Sequence, residues 1–194
     1  ARLSSLYRVL SGGSLQVTGG TYDMAIQGDG FFRVQQENGT VAYTRDGAFH
    51  LDAQGRLASA GGGLLLGDNG PITIPAEAGN VQVTGDGNIT YTDAKGQSVT
   101  AAHLSLATFA NPTGLATIGE NLLTEQPASG QPRLVAPGTG GMGRLAQGTL
   151  ETSNVDPAEE MINMMQAQRA YQLNSKVIQS ADEMMSLANN LRRG

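Results

Sequence analysis

Two histidines, His50 and His103, are the side chains best suited to moving protons near neutral pH or to holding a metal. They lie far apart, and neither has a second histidine nearby, so the sequence names no partner for a zinc site or a general base. Both read as ordinary strand or surface residues. Gly28-Asp29-Gly30 has the look of a phosphate-cradling loop, but Phe31-Phe32 after it begins a strand and not a helix with a free N-terminus. Asp86-Gly87-Asn88 with Asp93 has calcium-like composition and lacks the closing bidentate Glu, so a hairpin turn accounts for it. Cysteine is absent, which removes thiolate metal sites, cysteine nucleophiles and disulfides together. No Gly-x-Ser-x-Gly elbow marks a serine nucleophile, and nothing selects a catalytic carboxylate pair from the 17 acidic residues. The expectation is a protein without catalytic residues, bound metal or cofactor.

Bulk properties narrow the partners. A net charge of -5 and a pI near 4.9 argue against nucleic acid and against an anionic membrane surface. No stretch approaches the ~20 apolar residues of a membrane span, and no signal peptide opens the chain. Ala1 stands without an initiating Met, as in a fragment or processed product.

What must position these residues is read in three parts. Residues 1–19 carry Leu3, Leu6, Val9 and Leu10 at spacings of one or two helical turns, broken by Gly12-Gly13, and read as a linker stub. Residues 20–150 read as a mostly antiparallel β domain of short strands. Phe31–Gln35 and Val41–Thr44 form a hairpin around Asn38-Gly39, which supplies positive φ angles. Ala48–Leu51, Arg56–Ala58, Ile72–Ile74, Val81–Val83, Ile89–Tyr91 and Leu104–Phe109 follow, with the 27 glycines marking turns. Strands this short must pack face to face to bury a core.

Residues 151–194 differ in kind. From Pro157 to about Arg192 there is neither glycine nor an internal proline. Asp156 is placed as the cap, Pro157 at the first helical position and Glu159 to complete the capping pair. Glu159 and Glu160 suit the positive end of the helix dipole, Arg192 and Arg193 the negative end. Met164, Ala167, Tyr171, Asn174, Ile178, Ala181, Met185 and Ala188 step alternately by three and four, the spacing of a coiled-coil seam. Ala170, Val177, Met184 and Leu191 make a second row beside it, so the apolar face is broad enough for more than one neighbour. The fold class is therefore mainly β with a long, coiled-coil-forming C-terminal α-helix. The simplest alternative folds that helix back on its own β domain.

Several runs carry a resemblance. Asp23-Met24-Ala25-Ile26-Gln27-Gly28-Asp29-Gly30-Phe31-Phe32, Ala42-Tyr43-Thr44-Arg45-Asp46-Gly47-Ala48-Phe49, Asn111-Pro112-Thr113-Gly114-Leu115 and Ile118-Gly119-Glu120-Asn121-Leu122 occur in that order. Glu151-Thr152-Ser153-Asn154-Val155, Gln168-Arg169-Ala170-Tyr171 and Asn174-Ser175-Lys176 complete the set. Together they resemble the flagellar basal-body rod and hook proteins from Gly20 onward. That resemblance implies a β domain outside a tubular assembly whose inside is lined by terminal helices. It further implies self-association, contact with other rod and hook proteins, a place in the basal body, and export without a cleaved signal peptide. Nucleic acid, small-molecule substrates and membrane insertion are not expected. Family members begin with an N-terminal helix rich in Asn and Ala, and none is read here. A surface-exposed β-rich binding module on a helical stalk is the other reading; it would need the seam but not the C-terminal runs.

Overall fold

The computed structural model describes residues 13–152, 154 and 157–191, with helical side chains described at 161–162, 164–180 and 184–185. Leu3, Leu6, Val9, Leu10, Asp156, Arg192 and Arg193, and the side chains of Glu159, Glu160, Ala181, Ala188 and Leu191, lie outside the described residues.

The strands are β1 (Leu15–Val17), β2 (Met24–Gln27), β3 (Phe32–Gln35), β4 (Val41–Thr44), β5 (Phe49–Leu51), β6 (Leu57–Ser59), β7 (Leu64–Gly67) and β8 (Gly70–Pro71). Then come β9 (Gly79–Val83), β10 (Asn88–Thr92), β11 (Ser98–His103), β12 (Leu106–Thr108), β13 (Ala116–Gly119) and β14 (Leu122–Thr124). β15 (Arg133–Val135), β16 (Arg144–Gln147) and β17 (Thr149–Glu151) complete them, and α1 spans Pro157–Leu191. The chain divides after Thr152 into two compact units.

In the β unit every named strand pairing is antiparallel. The largest sheet runs β13-β14-β4-β3-β7-β6-β5, with β8 beside β7, and β9, β10 and β11 form a second sheet. Two further pairs, β1 with β17 and β2 with β16, join the beginning of the unit to its end.

One turn is used repeatedly. At Gln36, Asp52, Ser59, Thr84 and Asp93 the backbone N–H donates to the carbonyl four residues on, and the glycine three residues on donates back. Those glycines (Gly39, Gly55, Gly62, Gly87 and Gly96) all have φ between 75° and 92°, where a side chain is disfavoured and a bulge closes the hairpin. This corrects the expectation at Asn38-Gly39. Gly39 alone takes positive φ, and Asn38 instead accepts the Thr40 N–H through Oδ1 at 2.9 Å. Asp86-Gly87-Asn88 makes the corresponding β9–β10 turn.

Alternation along β strands sends Phe31 and Phe32 to opposite faces. Phe32 enters the main core with Met24, Ile26, Val34, Leu57 and Leu65, and meets Phe49 edge-on at 5.3 Å between ring centroids. Phe31 enters a smaller core with Tyr43, Ala107, Phe109, Leu115 and Leu123. Tyr43 packs on Phe109 at 4.8 Å and 87°. Ile72–Ile74, expected as a strand, is not one: the regular strand is the short β8 just before it, although Ile72 and Ile74 are both buried. Leu15–Val17, assigned by sequence to the linker stub, is strand β1, and Glu151 closes β17 ahead of the helix.

The 35-residue α1 is about 50 Å long at 1.5 Å per residue. Freedom from glycine and internal proline lets the ladder run unbroken.

Candidate assembly surface and the polar hub of the β unit

Along α1, steps of three and four place Met164, Ala167, Tyr171, Asn174 and Ile178 on one side of the helix, with Met185 further along the same series. Every described side chain on the helix is exposed. Tyr171 is 78% accessible, and Met161, Ile162, Met165, Leu173, Val177 and Met184 are also exposed large apolar groups. The side chains of Ala181 and Ala188, the other members of the predicted seam, lie outside those described.

The β unit has a polar hub at Thr44-Arg45-Asp46-Gly47, just after Tyr43 enters the smaller core. The fully buried Thr44 hydroxyl donates to the Asn121 carbonyl at 2.9 Å. The Asn121 amide donates to Asp46 Oδ2 at 3.1 Å. Arg45 Nη1 donates to the carbonyls of Gly28 (3.0 Å) and Gly30 (3.2 Å), and Nη2 to that of Ile26 (3.3 Å). Its Nε pairs with Glu151 Oε2 at 2.9 Å, both side chains being less than one-fifth exposed. Gly47 lies so close to β2 that a Cβ there would sit 1.5 Å from the Met24 carbonyl oxygen.

The hub explains Gly28-Asp29-Gly30. With φ of 124° at Gly28 and 134° at Gly30, the loop turns carbonyls, not N–H groups, towards Arg45. A phosphate cradle needs the reverse polarity. This loop holds a cation, and the cation is a side chain of the same unit.

His50 is exposed on β5, opposite Ala58. His103, at the end of β11, does have a partner that sequence reading missed: its Nδ1 lies 2.9 Å from Asp68 Oδ2. The Ser105 hydroxyl bonds the other Asp68 oxygen, and the Asp68 N–H donates to the His103 carbonyl at 2.9 Å. Asp68 stands between serine and histidine, so the arrangement gives the hydroxyl no imidazole base. It ties the β7–β8 turn to β11. Asp68 and His103 are 35 residues apart, and no local pattern connects them. Among the described residues no helix is long and apolar enough to cross a membrane.

An open cleft of about 580 Å³ lies between the β1–β2 loop and β9, lined by Gly20, Tyr22, Asn80, Gln82 and Gln147 among others. None of its lining residues is acidic, basic or histidine. Gln147 completes its wall as a surrogate strand: Oε1 accepts the Val83 N–H at 3.0 Å, and Nε2 donates to the Val81 carbonyl at 2.9 Å.

Comparison with known proteins follows these same regions. Residues 146–191 match the family described as "Flagellar basal body rod FlgEFG protein C-terminal", and residues 25–91 match "Flagellar hook protein FlgE/F/G D1 domain". The chain is 47% identical over 176 residues to the flagellar basal-body rod protein FlgG of Buchnera aphidicola subsp. Baizongia pistaciae, covering 90% of this chain and 66% of the relative. It is 43% identical over 188 residues to FlgG of Buchnera aphidicola subsp. Acyrthosiphon pisum, covering 96% and 71%. With Bacillus subtilis FlgG it shares 43% over 180 residues, covering 92% and 68%. The chain thus spans about two thirds of the length of these curated relatives.

Proposed function

We infer what this chain does from its family: it belongs to the flagellar basal-body rod proteins. We propose that it is a structural subunit of the basal-body rod, in the distal segment of the drive shaft, and that it carries load and performs no catalysis. The observation that carries this reading is the similarity to FlgG across nine-tenths or more of the chain.

The assembly element is α1, acting as a coiled-coil strand. Met164, Ala167, Tyr171, Asn174, Ile178, Ala181, Met185 and Ala188 form its seam, packed on helices of neighbouring rod or hook subunits. What supports this is the exposure of the large apolar groups described on the helix. Each such side chain buried at a contact contributes about 1.5–3 kcal/mol, so several together offset the ordering cost of assembly. Met and Ala adapt to neighbours that are not identical, while Asn174 can fix register at some cost in affinity. Head-to-tail contacts that do not close on themselves extend into a helical tube. The β unit, held together by two cores and the Arg45 hub, serves as the outer body.

Deleting the gene and restoring it tests the reading. Loss of motility with rods that stop short, both repaired by the gene, is the expected result. Normal flagella in the deletion strain would overturn it. A surface module on a stalk leaves the match at residues 146–191 without a reason.

A further inference from the structure

The chain enters and leaves the β unit at one place. β1 and β17 form a two-stranded ribbon of three residue pairs, Leu15 with Glu151, Gln16 with Leu150 and Val17 with Thr149. At its outer end the Ser14 carbonyl accepts both the N–H and the hydroxyl of Thr152, at 2.8 and 2.9 Å. The segments on either side of the β unit therefore continue from neighbouring residues.

Such a ribbon is weak alone. β1 buries none of its side chains, and Val17 is 82% accessible, so apolar packing does not hold it. Tension on the two outgoing segments also acts on it in the least favourable direction. Both ends leave from the same end of the ribbon, so pulling them apart breaks the rungs one after another. The strength of the outermost contacts sets the resistance of the whole.

Glu151 occupies that outer end. Its Oε1 accepts the Gly13 N–H at 2.8 Å, and its Oε2 holds Arg45 Nε at 2.9 Å. Arg45 in turn is fixed by the carbonyls of Ile26, Gly28 and Gly30, at the end of β2 and in the loop after it. A planar guanidinium can satisfy all these acceptors at once; a lysine ammonium cannot. Among the described residues this is the only ion pair that reaches the ribbon.

We propose that Arg45 and Glu151 form a mechanical anchor that stops the β1–β17 ribbon from peeling under tension and passes that load into β2 and the main core. The anchor stands on this geometry; its use under motor torque rests on the rod function proposed above.

Single-molecule pulling tests it directly. The chain contains no cysteine, so Ser11→Cys and Ser153→Cys give unique handles on the two segments. At constant force, the first extension step reports release of the ribbon. We expect Arg45→Met and Glu151→Gln each to shorten the time to that step tenfold or more. The double variant should be no faster than either single one, and Arg45→Lys should be intermediate. In Glu151→Gln, which keeps Arg45 on its three carbonyls, rupture of the rest of the β unit should be unchanged. If Arg45→Met fails to fold, Glu151→Gln decides alone, because it leaves Arg45 its three carbonyls. First-step lifetimes within twofold of the parent in the folded variants would overturn the anchor. That outcome would leave the rod function standing, since pulling needs no assembly.

Discussion

The hydroxyl of Thr44 reaches across 77 residues of sequence to the carbonyl of Asn121, 2.9 Å away, with Thr44 itself 1% exposed. That bond seats the β13–β14 turn, where Glu120 and Asn121 take positive φ of 50° and 59°, against the end of β4. Thr44→Val keeps the shape and removes the donor. The carbonyl left without it costs about 1–3 kcal/mol. Urea unfolding should show a lower midpoint with an unchanged slope; an unchanged midpoint would mean the turn is held by packing alone.

Gly47 yields a sharper expectation. Its backbone packs on β2 so closely that an added methyl would overlap the Met24 carbonyl, and Met24 also donates its N–H to Gly47. A backbone neighbour cannot rotate away as a side chain can. Gly47→Ala should cost about 2–4 kcal/mol, whereas Gly39→Ala meets open space and bears mainly the smaller penalty of its positive φ. Equal thermal melting temperatures for the two variants would contradict this account.

Tyr43 makes stability sensitive to alkali. Burial, then the nearby Glu125 carboxylate, raise its phenol above the usual value near 10, against the opposing pull of Arg33. The folded state thus holds this proton more tightly than the unfolded chain does. Its stabilisation is complete below about pH 10 and is lost as pH rises through the folded-state value. Tyr43→Phe keeps the contact with Phe109 and removes the titration. Urea midpoints between about pH 8 and 11 should fall less steeply in the variant. Parallel curves would show that Tyr43 carries none of the alkaline sensitivity.

Much of the β unit was legible because its turns are local. At Gly39, Gly55 and Gly87 the flanking apolar residues identified both strands, whereas at Gly62 and Gly96 only the strand before the turn was read and β7 and β11 were not. Legibility failed where pairing is long-range. β1 shows no burial pattern and exists as a strand only because β17 returns to it. β7 was missed for a different reason: its turn onto β6 is local, but Gly61-Gly62-Gly63 before it carries no apolar alternation. The hub was visible as a motif but not as chemistry. No spacing rule connects Arg45 with Glu151, 106 residues later, or predicts that Gly28 and Gly30 face a guanidinium. The helix was the easiest element, since 35 residues without a breaker admit few alternatives. The three-and-four spacing of its apolar residues is likewise visible in the sequence.

The central claim is that the apolar side of α1 builds the rod while the β unit folds independently of it. Replacing Tyr171 and Ile178 together by Asp in the complete gene, then imaging basal bodies by electron microscopy, tests it most directly. Both side chains are exposed on the helix, so the account predicts an unchanged β unit, seen as normal unfolding of the purified protein, with truncated rods and non-motile cells. Full-length rods and normal swimming in that strain would contradict it.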